Sequence, residues 1–515
     1  MASAARVSVP WRTLSLLVLA ELALYLLSSG PLAYGYMSDE LYYFDCADRL
    51  AWGYVDHPPL SLVLLSGVRA ILGDSLLAIH LLPALAACST VVLVALLARE
   101  LGGGHIAQSL AGIAALAAPV YLGVAGFYSM NAFEPALWAG AALIVARILN
   151  GGDPRLWLAL GVVLGVGLLN KISMLWFGLG LTVGLVLTPE RRWLATPWPY
   201  LAAALSFALF TPHIVWQVQH GLPTLEFMRN ATELKMVSKS PLGFAAEQLL
   251  MMNPLAVPFW LAGLAYYFAS PAGSRQRLLG WIWITVCLLL AASGSARANY
   301  LGPAYTVLLP AGGVAFERLA RGRGWRWLPA TTAALLVAGG VATAPMAIPL
   351  LPPARYVAYE RALGISPPVD QQGDIGLLPL HFAQRFGWVE LMEAVEAAHA
   401  TLSEQERRGA MVFGSYFGDT GAVNFFGREA GLPPAIGGHN NYWLWGPREF
   451  SGDVMIVITD PRHTAQHLEL FEHVERVAGV ECRYCMPDTS RLSVYVCRGL
   501  KRPLPEVWPQ LKRYI

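Results

Sequence analysis

Two successive carboxylates, Asp39 and Glu40, stand in Tyr36-Met37-Ser38-Asp39-Glu40-Leu41-Tyr42-Tyr43, directly after a long apolar run, and an Asp-His pair follows in Tyr54-Val55-Asp56-His57-Pro58-Pro59-Leu60. An acidic side chain at the edge of an apolar phase loses hydration, so it is usually kept for a task such as proton abstraction or cation binding. An Asp beside a bound hydroxyl can take its proton as general base. The same residues also suit a helix start, with Ser38 or Asp39 as cap and Glu40 facing the dipole, and the two readings are compatible. Asp56 can hold a divalent cation or orient His57, although prolines on this side equally make the segment a turn.

Three further positions carry related chemistry. Asn131 and Glu134 precede Pro135 at the start of another apolar run, where they could hold sugar hydroxyls or, for Glu134, favour the helix dipole. Lys171 lies between two short apolar runs and Arg297 in Ser295-Ala296-Arg297-Ala298-Asn299-Tyr300. Each suits an anionic headgroup, and Lys171 equally suits a snorkelling position. Cations placed where charge develops stabilise a phosphate leaving group without strict need of a metal. A carboxylate base, phosphate-binding cations and an interfacial cavity together fit transfer of a sugar from a lipid phosphate to a hydroxyl.

The elements that must position these residues are largely membrane helices. Of 515 residues, 56% are apolar and 14% charged, and the mean hydropathy is +0.48, which marks an integral membrane protein. The net charge of +2, with no basic cluster interleaved with aromatics, excludes nucleic acid as a partner class. Apolar runs fall at 14–33, 76–97, 106–126, 135–149, 156–169, 172–187, 195–211, 248–268, 279–292, 301–316 and 328–348, which predicts about eleven transmembrane helices. The first is expected to be retained, since no cleavage site follows it. Arg12, Arg99, Arg147, Arg191 and Arg318 fall in loops on one side, which places that side and the N-terminus in the cytoplasm. The acids and the chain beyond the last span then lie outside. Between about 40 and 73, two short amphipathic pieces, 40–52 and 60–72, are expected to lie in the outer interface and roof a cavity.

Residues 1–348 therefore read as a transmembrane domain and 349–515 as an extracytoplasmic soluble α/β domain, with strands at 410–413, 454–459 and 493–497 and helices at 389–408 and 464–477. Cys482-x-x-Cys485 lacks a second pair or nearby His for zinc, so a hairpin disulfide between Cys485 and Cys497 is the expectation in an oxidising compartment. The run His439-Asn440-Asn441-Tyr442-Trp443 combines amides with aromatics, as sugar-binding surfaces do, but such aromatics also pack one domain on another.

Taken in order, Asp39-Glu40, the 54–60 segment, Asn170-Lys171 and Arg297-Ala298-Asn299-Tyr300-Leu301 resemble the GT-C membrane glycosyltransferases of the protein O-mannosyltransferase and aminoarabinose lipid A transferase superfamily. The stretches 421–427 and 438–447 look like the soluble domain of bacterial members. The resemblance implies a polyprenyl-phosphate-linked sugar as donor, inversion at the anomeric carbon, and a bacterial cytoplasmic membrane as location. It makes Asp39 the base and Glu40 its partner in positioning, and puts Lys171 and Arg297 on the donor phosphate. It leaves Asp56, His57, Asn131, Glu134, Tyr300, His439, Asn440, Tyr442 and Trp443 as substrate-binding candidates. Asp56 matches an acidic position that in some relatives helps bind a metal, so a divalent ion is a candidate cofactor. His57 stands where the aminoarabinose branch has lysine, a departure that bears on metal binding and on the sugar. The acceptor could be a glycolipid, a polysaccharide or a protein, and membrane lipids surround the whole. Two rival classes stay open at this point: a transporter or flippase of lipid-linked sugars, and a membrane-anchored binding protein.

Overall fold

The computed structural model describes residues 8–365, 374, 376–448, 453–460 and 466–515. Leu, Ala, Val and Gly dominate the apolar runs, and such segments form helices because a helix satisfies its own backbone polar groups without water. Among the described residues, six helices are long and apolar enough to cross a membrane, or eight if each of two bent pairs is one span. Leu156–Asn170 and Met174–Leu187 are apolar but shorter. This is a multi-pass membrane protein whose bundle packs around one large apolar core that includes Trp138, Phe177, Tyr267 and Leu308.

Several expected boundaries move, each for a local reason. The run 248–268 is not one rod: Pro241–Met251 and Pro254–Ala269 meet at 100°. Pro254 ends the first helix, and Asn253 turns the chain at φ 69° while its side chain accepts from the Leu255 amide at 3.0 Å. The run 301–316 begins as a 3-10 helix, Ala298–Val307, with Pro303 inside it, before Leu308–Arg323 continues as an α-helix. The run 195–211 continues past its expected end as the helix Trp198–Gln219, and Pro223–Leu234 follows it.

The C-terminal region carries a five-stranded mixed sheet. Strands β1 (Met411–Gly414), β2 (Ala435–Gly437), β3 (Val454–Thr459), β4 (Phe471–Gly479) and β5 (Ser493–Leu500) lie in the order β2-β1-β3-β5-β4. β1 pairs parallel with β2 and β3, whereas β5 runs antiparallel to β3 and β4. The helix expected over 464–477 is mostly wrong: its first two residues lie outside the described ones, and Phe471–Gly479 is edge strand β4. That strand leaves Glu472, His473, Val474, Glu475 and Arg476 exposed, so its charge pattern reads like a solvated helix. The helix expected over 389–408 is two, Trp388–Ala400 and Glu404–Gly409, with Ser403 capping the second.

One layer joins this region to the bundle. Alternate residues of the sheet, Val412, Ile456, Ile458, Val494 and Val496, share a core with Leu41, Tyr42, Phe44 and Leu62, and the opposite-facing Phe413, Met455, Val457 and Cys497 pack on Leu504 and Trp508. Helix Ser38–Ala47 thus lies between the bundle and the sheet, packed on helix Phe417–Phe426. The closest approach is at Gly421, where a Cβ would stand 2.8 Å from the Leu41 carbonyl carbon and 3.0 Å from the Tyr42 amide nitrogen. Gly421→Ala should push the two helices apart at a cost of about 1–3 kcal/mol. A lowered Tm in detergent checks this; an unchanged Tm would mean the contact is slack.

Candidate active site around Asp39

Helix Ser38–Ala47 is fixed at its first turn from three directions. The Met37 amide donates to Glu40 Oε2 at 2.8 Å, the Ser38 amide donates to the Gln384 carbonyl at 3.1 Å, and Trp388 Nε1 donates to the Tyr36 carbonyl at 2.8 Å. Glu40 is fully buried at 0% exposure. His80 Nε2 donates to its Oε1 at 2.6 Å and the Tyr128 amide donates to the same oxygen at 2.6 Å, while His80 Nδ1 meets Ser29 Oγ at 2.8 Å. Burial alone would raise the Glu40 pKa, but His80, the Arg385 charge and the Tyr128 amide outweigh it and hold the carboxyl below its ordinary value. Glu40 is therefore a saturated anchor with no face open to a substrate.

Asp39, one residue earlier and about 100° around the helix, is only partly covered. Burial raises its pKa above the usual carboxylate range; Lys235 and Arg297 pull the other way, and Asp56 adds to the rise. Lys235 caps the C-terminus of Pro223–Leu234, and burial together with the Arg297 charge brings its pKa down to about 8. Arg513 is a third cation near enough to act on Lys235. Arg297 precedes the 3-10 helix Ala298–Val307, and its Nε is buried without a hydrogen-bond partner among the described residues. Tyr43 and Tyr416 are the neighbouring aromatic walls, both within electrostatic reach of Asp39. Lys235 and Arg297 together thus supply two cations to a carboxylate kept partly open.

A second cluster lies along the same 3-10 helix. Lys171 Nζ donates to Asn131 Oδ1 and Glu134 Oε2, each at 2.7 Å, and sits 5.2 Å from the centroid of the Tyr300 ring. Ser173 Oγ donates to the other Glu134 oxygen. Asn131, Glu134 and Lys171 line a cleft with Tyr121, Asn299 and Gly302. Lys171 is thus already neutralised by Glu134, in contrast to the cations facing Asp39.

Asp56 accepts from the Tyr42 hydroxyl at 2.8 Å, and His57 Nε2 is 3.7 Å from its Oδ1. Burial lowers the His57 pKa, and Nδ1, donating to the Pro58 carbonyl at 3.2 Å, leaves Nε2 as an unpartnered acceptor. Among the described residues no group of three His, Cys, Asp or Glu side chains is gathered to hold a metal, so Asp56 and His57 alone do not fit a metal centre.

The expected sugar-binding surface at 439–443 is instead packing. His439 is buried, its Nδ1 accepting from the Phe417 amide at 3.3 Å and its Nε2 donating to the Ile515 carbonyl at 2.8 Å. Asn440 Oδ1 accepts from the Ile515 amide at 3.1 Å, the Tyr442 hydroxyl donates to Asp45 at 2.5 Å, and Trp443 Nε1 donates to the Trp508 carbonyl at 2.9 Å. The His439 ring, the Asn440 side-chain oxygen, the Tyr442 hydroxyl and the Trp443 indole are thus engaged within the protein. The Cys485–Cys497 disulfide is also corrected: all six cysteines are free thiols, Cys497 is inside β5, and Cys485 faces Cys482.

A family model described as dolichyl-phosphate-mannose-protein mannosyltransferase matches residues 56–216. ArnT from Cupriavidus metallidurans, solved with bound undecaprenyl phosphate, superposes with a TM-score of 0.61 at 15% identity, over 95% of this chain and 98% of that one. The fold is that of the GT-C glycosyltransferases. AftD, an arabinofuranosyltransferase from Mycobacteria, matches with a TM-score of 0.53 at 15% identity, over 95% of this chain and 40% of that one. The Archaeoglobus fulgidus oligosaccharyltransferase in its apo form gives 0.51 at 12% identity, over 80% and 63%. No curated protein matches the chain by sequence.

Within this GT-C fold, the structure brings Asp39, Asp56 and Arg297 into one electrostatic neighbourhood and Asn131, Glu134 and Lys171 into one cleft, with the Tyr300 ring beside Lys171. Sequence reading missed Lys235 and Arg513. Lys235 follows an amphipathic stretch with no motif of its own, and Arg513 lies in the short run Lys512-Arg513-Tyr514-Ile515, so neither spacing nor composition marks them. The anchor role of Glu40 predicts that Glu40→Ala, which strands His80 in the interior, costs about 3–5 kcal/mol. Detergent-solubilised Glu40→Ala should melt well below the unchanged protein while Asp39→Asn does not; equal melting of all three would remove the anchor.

Proposed function

We propose that this chain transfers a sugar, with inversion, from a polyprenyl-phosphate-linked donor to a hydroxyl acceptor at the outer face of a bacterial cytoplasmic membrane. The observation that carries the reading is Asp39, a partly open carboxylate on the helix Ser38–Ala47, with Lys235 and Arg297 within electrostatic reach of it. The acceptor hydroxyl gives its proton to Asp39 while its oxygen attacks the anomeric carbon. The bond from that carbon to the phosphate oxygen breaks on the opposite face, and the polyprenyl phosphate leaves with added negative charge. Lys235 and the unpartnered Arg297 Nε receive that charge. Burial makes Asp39 a stronger base than an exposed aspartate, which suits proton abstraction near neutral pH.

In this reading the Lys171 cleft, with Asn131 and Glu134 and with Tyr300 beside Lys171, holds hydroxyls of the sugar, and Lys171 reaches the phosphate only by loosening from Glu134. Residues 1–348 form the catalytic membrane domain, with the N-terminus cytoplasmic, and 349–515 an extracytoplasmic domain that closes the site from above. The acceptor is a glycolipid, a polysaccharide or a protein. The ArnT structure with undecaprenyl phosphate and the family model named for a dolichyl-phosphate sugar support a donor of this kind.

Transfer of label from a panel of polyprenyl-phosphate sugars into lipid, polysaccharide and protein fractions tests the proposal. Asp39→Asn should lower transfer by about 10²–10⁴-fold, and equal transfer by both proteins would remove Asp39 as base. The pH profile supplies a second check. Deleting a cation disfavours the charged carboxylate, so Lys235→Met should move the acid limb to higher pH. Lys235 has a pKa of about 8, so loss of its charge should shape the alkaline limb; Lys235→Arg should carry that limb to higher pH, and limbs that stay in place would separate Lys235 from the reaction.

A further inference from the structure

Cys482-Arg483-Tyr484-Cys485 lies between β4 and β5, far along the chain from the residues assigned to sugar transfer. The two thiols differ in setting. Cys482 is half-exposed and Cys485 buried. The Cys485 amide donates to Cys482 Sγ at 3.3 Å, and the Cys485 thiol donates to the Cys482 carbonyl at 3.3 Å. The turn also packs on Gly387, which adopts φ +97° and at which a Cβ would meet Cys485 Cβ at 3.3 Å and Cys482 Sγ at 3.7 Å. An accessible thiol backed by a buried one, with two residues between them in a turn, is the arrangement of an attacking and a resolving cysteine.

We propose that Cys482 and Cys485 are a redox-active dithiol that closes to an intramolecular disulfide by exchange with a disulfide-bearing oxidant, either a small molecule or a protein. The Cys482 thiolate attacks one sulfur of the oxidant, forming a mixed disulfide and releasing the first thiol. Cys485 then loses its proton and attacks Cys482 Sγ, releasing the second thiol. Two protein thiols are oxidised and one disulfide is reduced, so electrons and atoms balance. The electrostatics agree with this order of events. Hydrogen bonds from Cys485 bring the Cys482 pKa down to about 7, and its own bond to Cys482, together with burial, keeps Cys485 protonated until it is called on.

The site touches the catalytic region through one strap. Gly387 precedes helix Trp388–Ala400, whose Trp388 holds the Tyr36 carbonyl, and Gln384 accepts from the Ser38 amide. The bridge would therefore lock the turn on which that strap rests.

Trypsin reads the pairing directly, because Arg483 lies between the two cysteines and Arg491 between Cys485 and Cys497. The full-length protein in detergent is treated with oxidised glutathione, blocked with iodoacetamide under denaturing conditions and digested without reductant. The expected product is peptide 477–483 joined to 484–491, with Cys497 alkylated in peptide 492–498. Cys485→Ser should stop the reaction at glutathione on Cys482, and Cys482→Ser should leave Cys485 unreacted. Peptide 484–491 joined to 492–498, or alkylation of both Cys482 and Cys485 after oxidation, would overturn the proposal. The readout is independent of sugar transfer, so its failure leaves the catalytic reading untouched.

Discussion

The structure depends on burying one carboxylate completely and satisfying it. An isolated charge in a low-dielectric interior is costly, so Glu40 survives there only because the His80 ring, the Tyr128 amide and the Met37 amide converge on it. Those donors come from three places: the helix Leu76–Ile79 cap, the loop before Met130–Phe133, and the start of the helix that carries Glu40 itself. A single side chain thereby fixes the first turn of Ser38–Ala47 against the bundle. Asp39 inherits its position from that anchor.

The neighbouring carboxylates meet opposite fates because a helix rotates successive residues by about 100°. Glu40 points into donors and is held ionised; Asp39 points into a partly open space where burial works against ionisation and cations work for it. The same division separates the cations. Lys171 is neutralised by Glu134, whereas Lys235 and Arg297 face Asp39 with less compensation. The proposed transfer, in which a phosphate gains charge while a carboxylate takes a proton, would use both kinds of environment side by side.

The C-terminal region is tied to the helix that carries the acids through packing and hydrogen bonds. Asn441 accepts from the Val55 amide at 3.1 Å and donates to the Tyr42 hydroxyl, which in turn donates to Asp56. Asn424 and Tyr442 both donate to Asp45. The chain from sheet to acids is continuous: Asn441 and Tyr442 hold the helix beneath them, while Asn440 and Trp443 bond to Ile515 and Trp508.

How much of this was legible beforehand follows from the range of each signal. Apolar composition fixes helices wherever a run is long, because backbone groups in a water-free phase must be paired within the segment; the membrane bundle was readable for that reason, whereas the number of spans was not, since among the described residues six helices, or eight with the two bent pairs, are long and apolar enough to cross. Strands β1, β3 and β5 were readable from their short β-rich runs, but β4 was not, since an exposed edge strand carries the charges of a surface helix. The two acids of 39–40 were visible as a pair, yet their separate roles were not: only the placement of His80, Tyr128 and Arg385 makes one an anchor, and only Lys235 and Arg297 tune the other. Likewise Cys485 looked ready to cross-link to Cys497 along a hairpin, and the fold turned it toward Cys482. Sequence by itself determined which segments leave water and which residue types could do chemistry, because those depend on composition and local spacing. Tertiary structure alone decided which charges face each other, because electrostatic environment is set by neighbours hundreds of residues away.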